Sequence, residues 1–287
     1  MVAVAPILVN GLVISSLYAL VAVGFTMIFG VGGTINLAHG AVITVGAFAA
    51  YSITSAGFGV WAGALAAMVV PAVFSVLLYK GFAERRRDNV VVVMILTLLA
   101  SIGVEELVRI VEGTQPRAIP PLVAGTTNLL GTTVQNNLVV VFVLSWVLIG
   151  GLFGFINYTN TGKAILATSM STRGAALVGI ESDRVNLYTW AIAGLLAGLA
   201  GLFLGSYQTA SWAMGRDPLV LSFSIVVLGG LGSIRGSLVA AYVIGFLEVI
   251  TTSAVDPRLS GLAGLVVLVA VLLVKPEGLF GREFTEA

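Results

Sequence analysis

The first 79 residues contain no Asp, Glu, Lys or Arg, and Lys80 is the first charged residue of the chain. Five further uncharged runs follow at 89–104, 118–162, 185–215, 218–234 and 259–274. Charged residues make up 9% of the chain and hydrophobic residues 58%, whereas about 25% charged residues is usual in soluble domains. A soluble protein carries charge along its whole surface, so this distribution predicts a membrane protein.

The length of the uncharged runs and their continuous apolar character indicate helices. A bilayer-spanning helix needs about 20 mostly apolar residues, and the runs have room for about eight or nine. Strands of a β-barrel would be short and would alternate polar with apolar residues, whereas these runs are continuously apolar. We therefore predict an all-α polytopic membrane protein with one transmembrane domain over 1–287. The predicted segments are 6–30, 36–56, 57–79, 89–111, 136–156, 187–207, 218–228, 237–252 and 261–274.

The basic residues give the chain an orientation. Ten of the 14 fall in four stretches, 80–88, 157–186, 229–236 and 275–287. They are Lys80, Arg85, Arg86, Arg87, Lys163, Arg173, Arg184, Arg235, Lys275 and Arg282. Because Lys and Arg mark cytoplasmic loops, we predict that these stretches are cytoplasmic and that the loop 112–134 lies outside. Nine full crossings place the N-terminus outside, and a re-entrant second segment places it inside.

Composition also excludes several functions. The chain has no Cys and one His, which rules out disulfides, thiolate metal sites and multi-histidine metal sites. A net charge of +1 argues against nucleic acid as a partner. The nearest approach to a phosphate-binding loop fails because Ala164 follows Gly162-Lys163 where Ser or Thr is needed. We predict no catalytic residues, no metal and no cofactor bound by this chain.

Two glycine-rich breaks, 30–40 and 229–236, interrupt apolar stretches. Interrupted helices in transporters turn free backbone N–H groups toward a solute. For the second break we favour a tight turn between helices. In the first, His39 heads an uncharged helix and either contacts a solute or braces the break, and Asn36 is a candidate N-cap.

The remaining polar and small residues have structural interpretations. Small residues recur every four positions in Ala193, Ala197, Gly201 and Gly205, and in Gly11, Ser15 and Ala19. This spacing is typical of closely packed membrane helices. We interpret Glu105, Glu106 and Arg109 as residues exposed at the outer interface. The stretch 157–186 predicts one or two short surface helices, which either dock into a groove of another protein or rest on lipid.

Four blocks of sequence carry a family resemblance. The first comprises Asn10-Gly11-Leu12, Tyr18-Ala19-Leu20, Gly24-Phe25-Thr26-Met27 and Ile35-Asn36-Leu37-Ala38-His39-Gly40. The second comprises Thr161-Gly162-Lys163-Ala164 and Ala175-Ala176-Leu177-Val178-Gly179-Ile180. The third is Val227-Leu228-Gly229-Gly230-Leu231-Gly232-Ser233-Ile234, followed by Gly236, and the fourth is Lys275-Pro276-Glu277-Gly278-Leu279-Phe280-Gly281. In this order and spacing the blocks resemble the short type of membrane permease of branched-chain amino acid ABC importers.

The resemblance implies an assembly in the cytoplasmic (inner) membrane. The permease would pair with a second, homologous permease, with two cytoplasmic ATPases that use ATP and Mg, and with an extracytoplasmic solute-binding protein. A coupling segment at about 157–186 would insert into the ATPase through Gly162, Lys163, Ala164, Ala175, Ala176, Gly179 and Ile180. The substrate pathway would involve Tyr18, Thr26, Asn36, His39 and Gly40.

The implied activity is inward transport of branched-chain or similar apolar amino acids, with ATP hydrolysed by partner subunits. The carboxylate of such a solute would use backbone amides and hydroxyls near Asn36 and His39, because the first three segments contain no charge. Two alternatives stay open at this point. The first is a permease for urea or short amides in the same family, and the second is a self-contained secondary transporter or channel.

Overall fold

The computed structural model describes residues 4–87, 89–129, 132–275 and 277–280. These residues form eleven α-helices and one two-stranded antiparallel hairpin. The helices are α1 Val4–Gly32, α2 His39–Ser55, α3 Val60–Leu78, α4 Val90–Glu112, α5 Asn136–Tyr158, α6 Asn160–Met170, α7 Thr172–Leu177, α8 Ser182–Gln208, α9 Arg216–Gly229, α10 Ile234–Ala254 and α11 Leu262–Val274. The strands are β1 Thr126–Leu129 and β2 Thr132–Gln135, and short helical turns occupy Tyr79–Ala83, Glu84–Arg86 and Pro257–Leu259.

The predicted all-α membrane fold is confirmed, with the β1–β2 hairpin as an addition inside the loop 112–134. Each of the nine predicted segments corresponds to one helix, and α6 and α7 are the two short helices expected in 157–186. Among the described residues, six helices are long and apolar enough to cross a membrane, namely α1, α3, α4, α5, α8 and α10. The other three, α2, α9 and α11, have 17, 14 and 13 residues, so they are shorter than the roughly 20 residues of a typical crossing.

Helices α1, α2 and α8 form the centre of the bundle, and small residues let them approach closely. Gly201 of α8 lies against the backbone of Ile43, and Gly198 lies against Gly46. On α1, Gly11 lies under the Phe246 ring of α10. The small-residue rows are therefore helix contacts, as predicted. By contrast, most residues of α3, α4 and α5 are exposed or half-buried, as expected for helices that face lipid.

The four basic stretches meet at one end of the bundle, which we call the basic end. Arg87 forms an ion pair with Asp183, Gly30 lies beside Gly232, and the Leu279 N–H donates to the Leu228 carbonyl at 2.7 Å. Of these stretches, residues 88, 276 and 281–287, including Arg282, lie outside the described residues.

The opposite end carries the loop 112–134. There the backbones of Arg117 and Ala210 pair in both directions, at 2.8 Å and 2.7 Å. Helix α1 runs antiparallel to α8, because Gly24 lies beside Ala193 and Gly32 beside Asn186. The described N-terminal end of α1 therefore lies at the end of the bundle opposite the basic end. This is the placement predicted for nine crossings of the chain, and not the one predicted for a re-entrant second segment.

Glu248 of α10 is buried and serves the start of α11. Its carboxylate accepts hydrogen bonds from the Ser260 hydroxyl at 2.6 Å and from the Gly261 N–H at 2.8 Å. A carboxylate at a helix N-terminus satisfies N–H groups that have no partner within the helix. This buried charge is thus explained by capping.

Candidate functional site

Helix α2 begins in the interior of the bundle. After α1 ends at Gly32, Gly33 adopts a positive φ of 61° and the chain turns back along α1. His39 Nε2 lies 3.1 Å from the carbonyl oxygen of Val21, eleven residues before Gly32, which corresponds to about 16 Å of helix. Since a bilayer core is about 30 Å thick, the first turn of α2 lies near mid-depth.

Helix α9 also begins in the interior. It has 14 residues, or about 21 Å, and it ends at Gly229, which lies against Gly236 at the basic end. Residues 209–215 return to this depth from the opposite end, where Ala210 is held by Arg117. The return starts at Thr209, whose φ of 104° is unusual for a β-branched residue.

The two interior helix starts meet each other. Gly40 lies against Gly215, and the Thr44 hydroxyl is next to the same glycine. The first N–H groups of a helix lack partners within the helix, and they carry partial positive charge. The meeting point of α2 and α9 is thus a buried region suited to anionic or hydrogen-bond-accepting groups.

Helix α4 supplies polar groups to this region from one face. Its buried positions Val93, Thr97, Ser101 and Glu105 recur every four residues. The Leu37 N–H donates to the Thr97 hydroxyl at 3.1 Å. Glu105 Oε2 accepts from Arg216 Nε at 2.9 Å and from Nη2 at 2.6 Å.

The expectation for Glu105 was wrong in one respect. Its side chain is 10% exposed, because α4 turns it inward to meet Arg216. Glu106 and Arg109, one and four positions along the helix, are exposed as expected and pair with each other. The sequence analysis assigned Glu105, Glu106 and Arg109 to the same exposed interface, because a local sequence pattern does not reveal which residue each side chain contacts.

The predicted pathway residues are all described, and four of the five are buried. His39 is fully buried, and its ring meets that of Phe25 edge-on at 5.6 Å. Asn36 accepts from the Ala38 N–H at 3.0 Å, so it closes the turn before α2, whose N-cap is Ala38. Within the described residues, Asn36 Nδ2 and His39 Nδ1 have no hydrogen-bond partner.

The other pathway residues have different surroundings. The Thr26 hydroxyl donates to the Ala22 carbonyl at 2.7 Å and lies 2.6 Å from the Ser237 hydroxyl, which ties α1 to α10. Gly40 is buried, and Tyr18 is half-buried. Contact of any of the five with a solute stays a prediction.

The second glycine-rich break is the tight turn we favoured. Gly230 and Gly232 have positive φ values of 96° and 83°. Ser233 caps α10 by accepting from the Gly236 N–H at 3.1 Å. Gly232 of this second break lies beside Gly30, the first residue of the first break. The two breaks therefore meet at the basic end.

The predicted coupling residues divide into buried and exposed groups. Gly162 is buried and packs on the backbone of Phe155 and Ile156, and Ala175 is also buried. Lys163, Ala176 and Gly179 are exposed, whereas Ala164 and Ile180 are half-buried. Their role in ATPase coupling stays a prediction.

Two groups of residues were not named as site residues in the sequence analysis. Leu177 and Val178, which belong to the second sequence block, are 83% and 75% exposed at the end of α7. Arg216 and Trp212 form a second group, in which the guanidinium carbon lies 5.0 Å from the centre of the Trp212 ring. Only the rarity of Arg inside apolar sequence could have drawn attention to Arg216.

Comparisons with known proteins agree with this architecture. The family model described as "Branched-chain amino acid transport system / permease component" matches residues 7–274. The high-affinity branched-chain amino acid transport system permease protein LivH of Escherichia coli (strain K12) is 30% identical, over 96% of this chain and 95% of its own. The permease protein BraD of Pseudomonas aeruginosa is 28% identical, over 97% of this chain and 96% of its own.

The fold also resembles a solved structure, a chain of PsaBC from Streptococcus pneumoniae in complex with Fab. The TM-score is 0.55 with 14% identity, covering 94% of this chain and 92% of that chain. The similarity extends over most of both chains, so the two chains share a fold. With its six spanning helices, the chain is a multi-pass protein of the cytoplasmic membrane, and it belongs to the family of branched-chain amino acid transport system permease components.

Proposed function

We propose that this chain is the membrane subunit of an ATP-binding cassette importer that moves branched-chain amino acids inward. Partner ATPases hydrolyse ATP and engage α6 and α7, and an extracytoplasmic binding protein delivers the solute to a pair of permeases. The family of the chain supports the class of transporter. The single observation that carries the mechanism is the exposed apolar tip of α7.

That tip is suited to docking. Leu177 and Val178 project from the basic end, while Ala175 on the same short helix is buried. Exposed apolar residues beyond the membrane helices, next to an anchored one, are typical of a contact with another protein. We therefore place the ATPase contact at Leu177 and Val178, with Lys163, Ala176 and Gly179 around them.

The short helices are attached firmly enough to transmit a displacement. The Gly162 N–H donates to the Thr159 hydroxyl at 2.9 Å, and Gly162 packs directly on α5. Helix α6 also contacts α1 and α8, which hold the interior starts of α2 and α9. Movement of the ATPases would thus reach the predicted pathway through two packed helices.

Reconstitution tests the proposal. Proteoliposomes with this chain, a second permease, two ATPases and loaded binding protein should take up leucine only when ATP is inside. Uptake by this chain alone, without ATP, would identify a secondary transporter or channel and overturn the proposal. ATP-driven uptake of urea with none of leucine would support the alternative substrate class.

A matched pair of variants tests the docking surface. Val178→Glu should abolish ATP-driven uptake and ATPase binding, because a charge enters an apolar contact. Val255→Glu is the control, since Val255 is 71% exposed but lies at the opposite end, beyond α10. Equal uptake by the two variants would show that the ATPases dock elsewhere.

A further inference from the structure

An ion pair of this protein joins α4 to the start of α9, between Glu105 and Arg216. Glu105 follows Val90 by fifteen residues, which is about 22 Å along α4, and Arg216 starts the roughly 21 Å of α9. Both helices have their other ends at the basic end. The pair therefore lies about 20 Å from that end, at nearly the depth of the exposed Glu106 of α4.

The guanidinium is nonetheless open. The Arg216 side chain is 57% exposed while Glu105 is 10% exposed, and the neighbouring Asp217 is exposed as well. Charged side chains in membrane segments seldom face lipid, and they often mark substrate or ion pathways. We infer that the face formed by Trp212, Arg216 and Asp217, which we call the charged face, borders water or another polar surface.

The charged face also adjoins a residue that the sequence assigns to the pathway. Arg216 directly follows Gly215 in the chain, and Gly215 lies against Gly40 of the predicted pathway. Helix α1 is packed against both α9 and α10. The charged face thus starts one residue beyond the meeting point of α2 and α9.

The hydrogen bonds of Arg216 leave part of its capacity unused. Both of its bonds to Glu105 converge on the single oxygen Oε2. A guanidinium has five N–H donors in a fork that matches a carboxylate. Within the described residues, the structure therefore offers free donors on Arg216 beside an exposed carboxylate on Asp217.

We propose that Arg216 and Asp217 form a subsite for the charged groups of a zwitterionic amino acid in transit, Arg216 binding the α-carboxylate and Asp217 the α-ammonium group. The subsite rests on the proposed function, because it needs an amino acid as cargo. Glu105 holds Arg216 in place, and Trp212 covers one face of the guanidinium. No bond is made or broken in this step.

The test uses the complete importer in proteoliposomes with saturating leucine-loaded binding protein. Arg216→Gln and Asp217→Asn should each lower the uptake rate at least tenfold. Arg109→Gln is the matched control, since Arg109 also pairs with a glutamate on α4 but lies on another face, and it should transport like the parent protein. Leucine uptake by Arg216→Gln within twofold of the parent would overturn the subsite.

A second variant distinguishes solute binding by Arg216 from a purely structural role of the Glu105–Arg216 ion pair between α4 and α9. Glu105→Gln removes the charge partner but keeps Arg216, so it should lower uptake threefold at most. Equal losses in Glu105→Gln and Arg216→Gln would assign the pair to structure and overturn the proposal. Loss of the second permease from purified Arg216→Gln importer would assign the charged face to a subunit contact, with the same consequence.

The failure of the subsite is distinguishable from that of the proposed function. If the parent importer itself shows no ATP-driven leucine uptake, the proposed function is wrong and the subsite falls with it. If the parent transports leucine and the variants transport equally well, only the subsite is wrong.

Discussion

Gly40 and Gly215 hold the starts of α2 and α9 in direct backbone contact. A Cβ on Gly40 would lie 2.5 Å from the Gly215 carbonyl oxygen and 3.2 Å from the Leu219 Cβ. Two helix N-termini carry like partial charges, so their approach needs support from elsewhere. The bond between Leu37 and Thr97 holds one of the two chain returns, and the Arg117–Ala210 pairing holds the other.

Gly40→Ala should destabilise the protein by about 1–3 kcal/mol, the usual cost of overpacking. The added methyl group would meet a backbone oxygen, which has no rotamer through which to move away. Thermal unfolding of the purified chain in detergent measures the effect. We expect uptake by the reconstituted importer to fall as well, because the two helix starts would separate.

Gly150→Ala is the control for this change. Gly150 lies in α5 with no heavy atom within 4 Å of an added Cβ, and alanine is the better helix former. Its stability should match or exceed that of the parent protein. Equal stability of Gly40→Ala and Gly150→Ala would show that the starts of α2 and α9 can move apart without a loss of stability.

Thr26→Val should lower stability by about 0.6 kcal/mol, the average for hydrogen bonds between membrane helices. Ser237→Ala should do the same, since it removes the other half of the 2.6 Å contact. Because the fully buried Thr26 hydroxyl already has two partners, we expect the two variants to take up leucine equally. Reduced uptake by Thr26→Val alone would instead support direct solute contact.

Gly162→Ala should weaken the attachment of α6. An added methyl group would collide with the Phe155 carbonyl and the Ile156 backbone, so we expect a loss of about 1–3 kcal/mol and reduced coupling of ATP hydrolysis to uptake. Gly154→Ala is the control, since Gly154 of α5 has no heavy atom within 4 Å of an added Cβ, and it should change neither. Measuring ATP hydrolysed per leucine transported compares the two, and equal ratios would place the coupling contact away from α6.

The sequence was sufficient to predict the helices that cross the membrane in full. In lipid every backbone hydrogen bond must be satisfied internally, so an uncharged run of about 20 residues forms a helix. The sequence could not separate the half-crossing helices α2 and α9 from full crossings. Hydropathy reports whether a residue favours an apolar environment, and the interior of this bundle is as apolar as lipid. Hydropathy therefore cannot separate a helix buried in the bundle from one that crosses the membrane against lipid. The difference in depth depends on contacts such as His39 with Val21, between elements that a local window treats separately.

The candidate site shows the same limit. The single His and the glycine-rich break drew attention to 36–40, and these residues do lie at the start of an interior helix. The charge pair at Glu105 and Arg216 joins positions 111 residues apart. Adjacent Glu105 and Glu106 have similar sequence surroundings, but the helix turns one inward and the other outward.

Thr209→Gly should stabilise the protein by relieving backbone strain at position 209. Thr209 has a φ of 104°, and such a conformation costs a non-glycine residue about 1–3 kcal/mol, whereas glycine adopts it freely. Its side chain is exposed, so no packing is lost. Thr114→Gly, also exposed and without a positive φ, should instead destabilise by about 0.4–1 kcal/mol through unfolded-chain entropy. Thermal unfolding in detergent compares the two variants, and a loss of stability in Thr209→Gly as large as that in Thr114→Gly would show that position 209 stores no strain.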